Sequence, residues 1–117
     1  MNPGQFAGVS GPLTQGSDII SVRVANQSTQ VLWEDRGGCV RKTASGAVTY
    51  SVTPDAIGGW NRSVAVVLAN DSTSGDITVS PDTGVTLVAG TTTGPFVLVP
   101  GESRLLHRVA PNSWRIR

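Results

Sequence analysis

Cysteine, lysine and histidine each occur once in this chain of 117 residues, and each scarcity removes a class of chemistry. A lone Cys39 cannot close an internal disulfide, so nothing staples the fold and nothing points to an oxidising compartment. A lone His107 excludes metal sites built on paired imidazoles. Charge is thin, at 15% of residues against a usual level of about 25%. Nine basic and eight acidic residues leave a net +1, which supplies no broad field for a polyphosphate, so nucleic acid is not an expected partner. The longest apolar run, Val64–Ala69, is strand-length and far from the roughly 20 residues of a membrane span. No charged leader precedes an apolar stretch at the N-terminus, so no secretory signal is read there. A protein made in a reducing cytoplasm, with no membrane partner, is the expectation.

What fills the space is Gly, Ser, Thr and Val, with 14 glycines and 7 prolines. β-branched residues suit a pleated surface, and Gly and Pro punctuate it. Ile20, Val22 and Val24 alternate with Ser21 and Arg23, the period of a half-buried strand. Val48, Tyr50 and Val52 share one face of another. Arg62–Asn70 is apolar on both faces, which predicts a central strand covered on both sides. Further strands centre on Ile77 and Val79, Val85 and Leu87, Phe96 and Leu98, Leu105 and Val109, and Trp114 and Ile116. Turn residues such as Asp82-Thr83-Gly84, Pro100-Gly101 and Pro111-Asn112 separate them. Helical spacing is nearly absent. The pattern predicts an all-β fold: a single small antiparallel sandwich or barrel-like domain over residues 18–117, preceded by an extended N-terminal arm over residues 1–17.

The arm is Gly, Pro, Ser and Gln around Phe6, Val9 and Leu13. It reads either as a solvated tail or as a segment that orders against a neighbouring subunit through those three anchors. Eight of the nine basic residues are Arg, a residue enriched at protein interfaces because its fork pairs in two places at once. Arg104 and Arg108, on a late strand, are candidate contacts. Trp114 alternates with Ile116 and should close the core, whereas Trp33 and Trp60 beside turns can serve as core lid, partner anchor or sugar platform.

Catalytic candidates are few. His107 alternates with Leu105 and Val109 on an expected buried face, and a dyad with Cys39 would need the two to meet in space. Among the acids only Glu34 and Asp35 are adjacent, and adjacent strand residues point to opposite faces. Asp71 and Asp76 flank a polar loop without calcium-loop spacing. No catalytic, metal or cofactor residue is therefore assigned, and a non-enzymatic protein is expected.

One resemblance runs through the order of these residues. Leu32, Trp33, Glu34, Asp35, Arg36, Gly37, Gly38, Cys39, Val40 and Arg41, followed by the strand Ala47–Val52 and Pro54, resemble a segment recurrent in phage structural proteins. Ile77–Leu87 is similar to the continuation of those modules. Pro100-Gly101, Leu105-Leu106 and Pro111-Asn112-Ser113-Trp114 are similar to their ending. The likeness covers roughly Val31 to Arg117; a loop holding Trp60 departs from it. It implies a virion component, usually oligomeric and often trimeric. With a β domain behind an arm, a capsid decoration protein on the head surface is the expected kind, its partners being the major capsid protein and itself as a homotrimer. The alternative it implies is a tail, baseplate or fibre module recognising host glycan through Trp33 or Trp60.

Overall fold

Short runs of β-branched residues, each cut by Gly, Pro or Asn, leave room only for brief strands. In the computed structural model, which describes residues 20–117, eleven of them are present: β1 (Val22–Val24), β2 (Thr29–Gln30), β3 (Cys39–Lys42), β4 (Val48–Val52), β5 (Ala65–Asn70), β6 (Ile77–Pro81), β7 (Thr86–Ala89), β8 (Thr92–Thr93), β9 (Phe96–Leu98), β10 (Ser103–Ala110) and β11 (Ser113–Ile116). A 3-10 turn over Trp33–Asp35 and a single helical turn, α1 (Asp55–Gly58), are the only helical pieces among these residues. Two sheets face each other. The larger runs β1-β3-β5-β10-β11-β7-β8 and the smaller β9-β6-β4-β2. The arm over residues 1–17, with Phe6, Val9 and Leu13, lies outside the described residues.

The sheets are mixed, which corrects the antiparallel expectation. Five pairings are parallel (β1 with β3, β3 with β5, β2 with β4, β4 with β6, β7 with β11) and four are antiparallel. The cause is the route of the chain. β1, β3 and β5 belong to the large sheet and β2, β4 and β6 to the small one, so the chain crosses layers after each strand. Strands two apart then lie side by side in one direction. Side-chain alternation has the same period in either kind of ladder and so carries no direction.

Between the layers the core takes Val40, Val66, Leu68, Leu87, Leu106, Trp114 and Ile116 from the large sheet and Val48, Tyr50, Val52, Ile77, Val79 and Leu98 from the small one. Tyr50 is buried, and its hydroxyl donates to Ala25 O at 2.6 Å, tying β4 to the chain beyond β1. Burial pushes its phenol up to about 12, so it remains a donor at any ordinary pH.

Two expected faces are reversed. Ile20, Val22 and Val24 point to solvent, and Arg23 points inward to Asp35. On β10 the inward residues are Arg104, Leu106 and Arg108, leaving Leu105, His107 and Val109 outside. Strict alternation fixes which residues share a face but not which face is covered. β5 is central, as expected, yet its outer side is not fully covered: Val67 is 37% exposed, although Ala69 on the same side is buried.

Lys42 is fully buried, and no acid neutralises it among the described residues. Its ammonium donates to Ser72 Oγ at 2.7 Å, Ser74 O at 3.0 Å and Gly75 O at 3.2 Å, matching three donors to three acceptors. Asn70, its register partner on β5, donates to Gly75 O and to Leu98 O on β9. The loop between β5 and β6 is thus pinned from below. Gly75 has positive φ and lies against the backbone of Gly46, where a Cβ would collide. Lys42→Met should cost about 2–4 kcal/mol, because it strips a charged donor from buried acceptors. Urea unfolding of the two proteins measures this difference.

Candidate functional site

An antiparallel or mixed sheet with one solvated face normally carries polar residues on that face. The small sheet does: Thr49, Ser51, Thr78 and Ser80 point away from the core. The large sheet does not. Its register aligns Val22, Cys39, Val67 and Leu105 in one row across four strands. Val24, Arg41, Ala69 and Ser103 form the next row. Val22 is 52% exposed and Val24 54%, while Leu105 matches Val67 at 37%. At about 4.8 Å between strands, the first row spans about 14 Å. An apolar strip of this kind marks an interaction surface more often than a lone exposed Leu does.

The strip has an open end. Cys39 N–H donates to Ser21 O, and Ala25 N–H donates to Arg41 O. In a parallel ladder the intervening Val22 and Val24 then turn their backbone groups to the free edge of β1. Arg23 secures that edge from inside. Its Nε and Nη2 donate to both Asp35 oxygens at 3.0 and 2.8 Å, and Nη2 also donates to Gln30 O of β2. An inward-pointing charge on an edge strand is a known way to keep such an edge in register.

Beyond Val67 and Leu105 the face dips into a shallow depression lined by Ser63, Val64, Ala65, His107, Arg108 and Val109. Val109, on the outer face with Leu105 and His107, sits where the β10–β11 register slips between Arg108 and Ala110, a bulge. His107 is half-buried here, not sealed in the core as the sequence suggests, and its buried Nε2 has no hydrogen-bond partner among the described residues. Burial, and then the positive charges of Arg117 and Arg115, hold its imidazole below its ordinary value. Cys39 lies on β3 and His107 on β10, with β5 between. Two inter-strand spacings, about 10 Å, keep them from forming a dyad. Burial pushes the Cys39 thiol up, with Asp71 adding to the effect, so it is a poor nucleophile at neutral pH.

Charge along the strip is mostly positive. Among the described residues Asp71 lies beside it and is taken by Arg41 at 2.8 Å, while Glu34 is exposed near the Trp33 turn. Arg115 and Arg117 flank the strip along β11, Arg117 exchanging backbone bonds with Leu105. Arg36 and Arg62 stand at its other margin, where Gly37 N–H donates to Ala65 O. Both guanidiniums lie over the Trp33 ring, at 4.3 and 5.2 Å from its centroid.

The candidates from sequence fall in different places. Trp33 is partly exposed and belongs to this margin. Trp60 is 3% exposed, its ring tilted at 60° to that of Trp33 with centroids 5.7 Å apart, and lying edge-on 4.9 Å from the fully buried Trp114. It is a core lid and offers no surface to a partner. Arg108 is buried, donating to both oxygens of Asp55. Arg104 lies 5.5 Å from the Phe96 ring and donates to Arg117 O, inside the sandwich edge. Val67, Arg36 and Arg62 were not singled out from sequence, Val22 and Leu105 were read there as core-facing strand residues, and Cys39 was weighed only as a lone thiol; none reads as part of a surface until the register aligns them. Among the described residues no three of His, Cys, Asp and Glu gather to hold a metal, and no helix is long and apolar enough to cross a membrane.

Compared with protein-family models, with curated proteins and with solved structures, the chain matches none.

The Arg108–Asp55 pair behind the depression makes a pH signature. Hydrogen bonds from Arg108, with help from the Asn112 amide and against the opposing effect of burial, hold the Asp55 carboxyl below its ordinary range. A depressed carboxyl contributes stability above its unfolded value of about 3.9 and loses it as pH falls through the folded value. Asp55→Asn should cost about 1–3 kcal/mol at neutral pH. Thermal melts between neutral pH and strong acid should fall more steeply for the native protein than for this variant, with the difference confined to the region below about pH 4.

Proposed function

We propose that this protein is a non-enzymatic structural component of a phage particle, a decoration protein that docks on the major capsid protein at the head surface as a homotrimer. The observation that carries the docking part is the outer face of the large sheet, an apolar strip bordered by arginines with no free acid within it among the described residues. The partner chemistry that fits is an apolar protein surface bordered by carboxylates, since opposite rims steer encounter and fix register. The trimer and the phage setting rest on the resemblance of Val31–Arg117 alone. The arm, through Phe6, Val9 and Leu13, would add contacts beyond this face.

The glycan reading draws less support. Sugar platforms need a bare indole face, whereas Trp60 is covered and Trp33 carries two guanidiniums and the Trp60 ring against it. Nor does a catalytic constellation favour a hydrolase, because Cys39 and His107 stand apart.

Capsids stripped of surface proteins provide the test. Full-length protein should bind them, and Val67→Lys with Leu105→Lys should weaken binding at least about a hundredfold, as losing two apolar contacts of about 1.5–3 kcal/mol each requires. Circular dichroism checks that the fold persists. Cys39, in the middle of the strip, should label with a maleimide in free protein at mildly alkaline pH, where more of its thiol ionises, and be protected on capsids. Equal labelling in both states would move the docking surface elsewhere. A monomeric mass in solution and on the particle would remove the trimer.

A further inference from the structure

We infer that Arg36 and Arg62, braced over Trp33, form a clamp for a carboxylate, supplied by an aspartate or glutamate of the protein surface on which the large sheet docks. The identity of the partner rests on the proposed docking function; the clamp itself rests on geometry.

The brace begins in the core. Trp114 is buried, Trp60 packs edge-on against it, and Trp33 packs against Trp60, so three indoles lead from the interior to the surface. The Trp33 ring is therefore fixed although it is partly exposed. Arg36 is fixed in turn: its Nη1 donates to Trp33 O at 3.0 Å, and its guanidinium carbon lies 4.3 Å from the ring centroid. The Arg62 guanidinium reaches the same ring from the loop before β5, at 5.2 Å. The two guanidinium carbons therefore lie less than about 10 Å apart, each drawn to the ring by its negative face.

Among the described residues three arginines are paired with acids, Arg23, Arg41 and Arg108. Arg36 and Arg62 have no such partner among the described residues, and the adjacent Glu34 is exposed and unpaired. Two cations brought to one ring without a counter-ion repel each other, and an anion between them relieves that repulsion. A planar carboxylate can accept from both forks, and such charge-assisted bonds are the strong ones. Position supplies the rest. Gly37 N–H donates to Ala65 O, and Val67 N–H to Gly38 O, so the backbone that follows Arg36 runs beside the start of β5, the strand that carries Val67, and Arg62 lies in the loop just before that strand. A partner seated on Val67 and Leu105 would bring its rim over Arg36 and Arg62.

Full-length protein titrated with a capped tetraglutamate peptide at low salt tests the clamp, followed by NMR at the Arg36 and Arg62 Nε–H groups and the Trp33 indole N–H. These signals should shift together and saturate, and added salt should weaken binding. Arg36→Gln and Arg62→Gln should each reduce apparent affinity by about tenfold or more, with the Trp114 indole signal unmoved as the folding control. The same peptide made of glutamine should leave all three signals still. No saturable shift, or equal shifts in the variants, would overturn the clamp. A response to N-acetylneuraminic acid but not to tetraglutamate would overturn the protein source of the carboxylate. Stripped capsids separate the two proposals. If native protein binds them and the glutamine variants bind as tightly, the clamp inference falls while docking stands. If native protein fails to bind them but the peptide shifts persist, docking falls and the clamp keeps its ligand chemistry.

Discussion

A buried lysine held by neutral oxygens sets the path of this chain. Lys42 leaves β3 pointing into the sandwich, and an ammonium there is tolerable only if every donor is satisfied. The loop after β5 satisfies it by curling back, offering Ser72 Oγ and the Ser74 and Gly75 carbonyls. That curl carries the chain from the large sheet into the small one. Asn70 completes the knot, reaching Leu98 O on β9 while its backbone exchanges bonds with the Gly101–Glu102 turn before β10. Loop, β9 and the start of β10 are therefore placed by one polar cluster at one end of the sandwich. Half-satisfied, such a cluster would be worse than an apolar core; complete, it specifies one arrangement.

Crossing between layers after each strand has a geometric consequence. Parallel neighbours accumulate from β1 to β3 to β5, and the stack must start with an unpaired strand. β1 is that strand among the described residues. Its short length and the Arg23–Asp35 pair limit what the open edge can do. Asp35 is buried and also accepts from Leu32 N–H at 2.8 Å, so the same carboxylate holds the 3-10 turn that presents Trp33 and leads into Arg36. The edge of the sheet and the brace of the clamp thus share one buried acid.

Much of the secondary structure was legible in the sequence, and the layout was not. Alternation located strands around Val48–Val52, Val64–Asn70, Ile77–Val79 and Trp114–Ile116, and turn residues located most of the breaks. Direction escaped because parallel and antiparallel ladders share a period of two. Facing escaped on β1 and β10 for a related reason: Val22 and Leu105 look like core residues, and only the opposite layer decides whether they are covered. On β10 the stems of Arg104 and Arg108 take inward positions that a hydrophobic pattern assigns to their neighbours. Trp60 was legible as one of three roles, and the stack on Trp114 decides among them in favour of the core. The margin holding Arg36 and Arg62 was invisible, since those residues are separated by 26 positions and meet only across Trp33.

The two outer faces show where surface hydrophobicity has been placed. Thr49, Ser51, Thr78 and Ser80 give the small sheet a solvated exterior at no cost in β propensity, because Thr suits a strand as well as Val does. The same substitution was open at Val67, Val22 and Val24, and the large sheet keeps Val at all three. An uncovered Val contributes little to the core, and a row of them invites association. The arginines set which surfaces such a face can meet. Arg41 on the strip is matched by Asp71, but Arg115 and Arg117 lie along it and Arg36 and Arg62 beside the start of its strands, so two identical faces brought together would confront like charges. Self-association through that face is opposed, and a surface with acidic rims is favoured, by the same side chains. The strip supplies contact area without selectivity, and the positive rim supplies selectivity with little area; a docking face needs both.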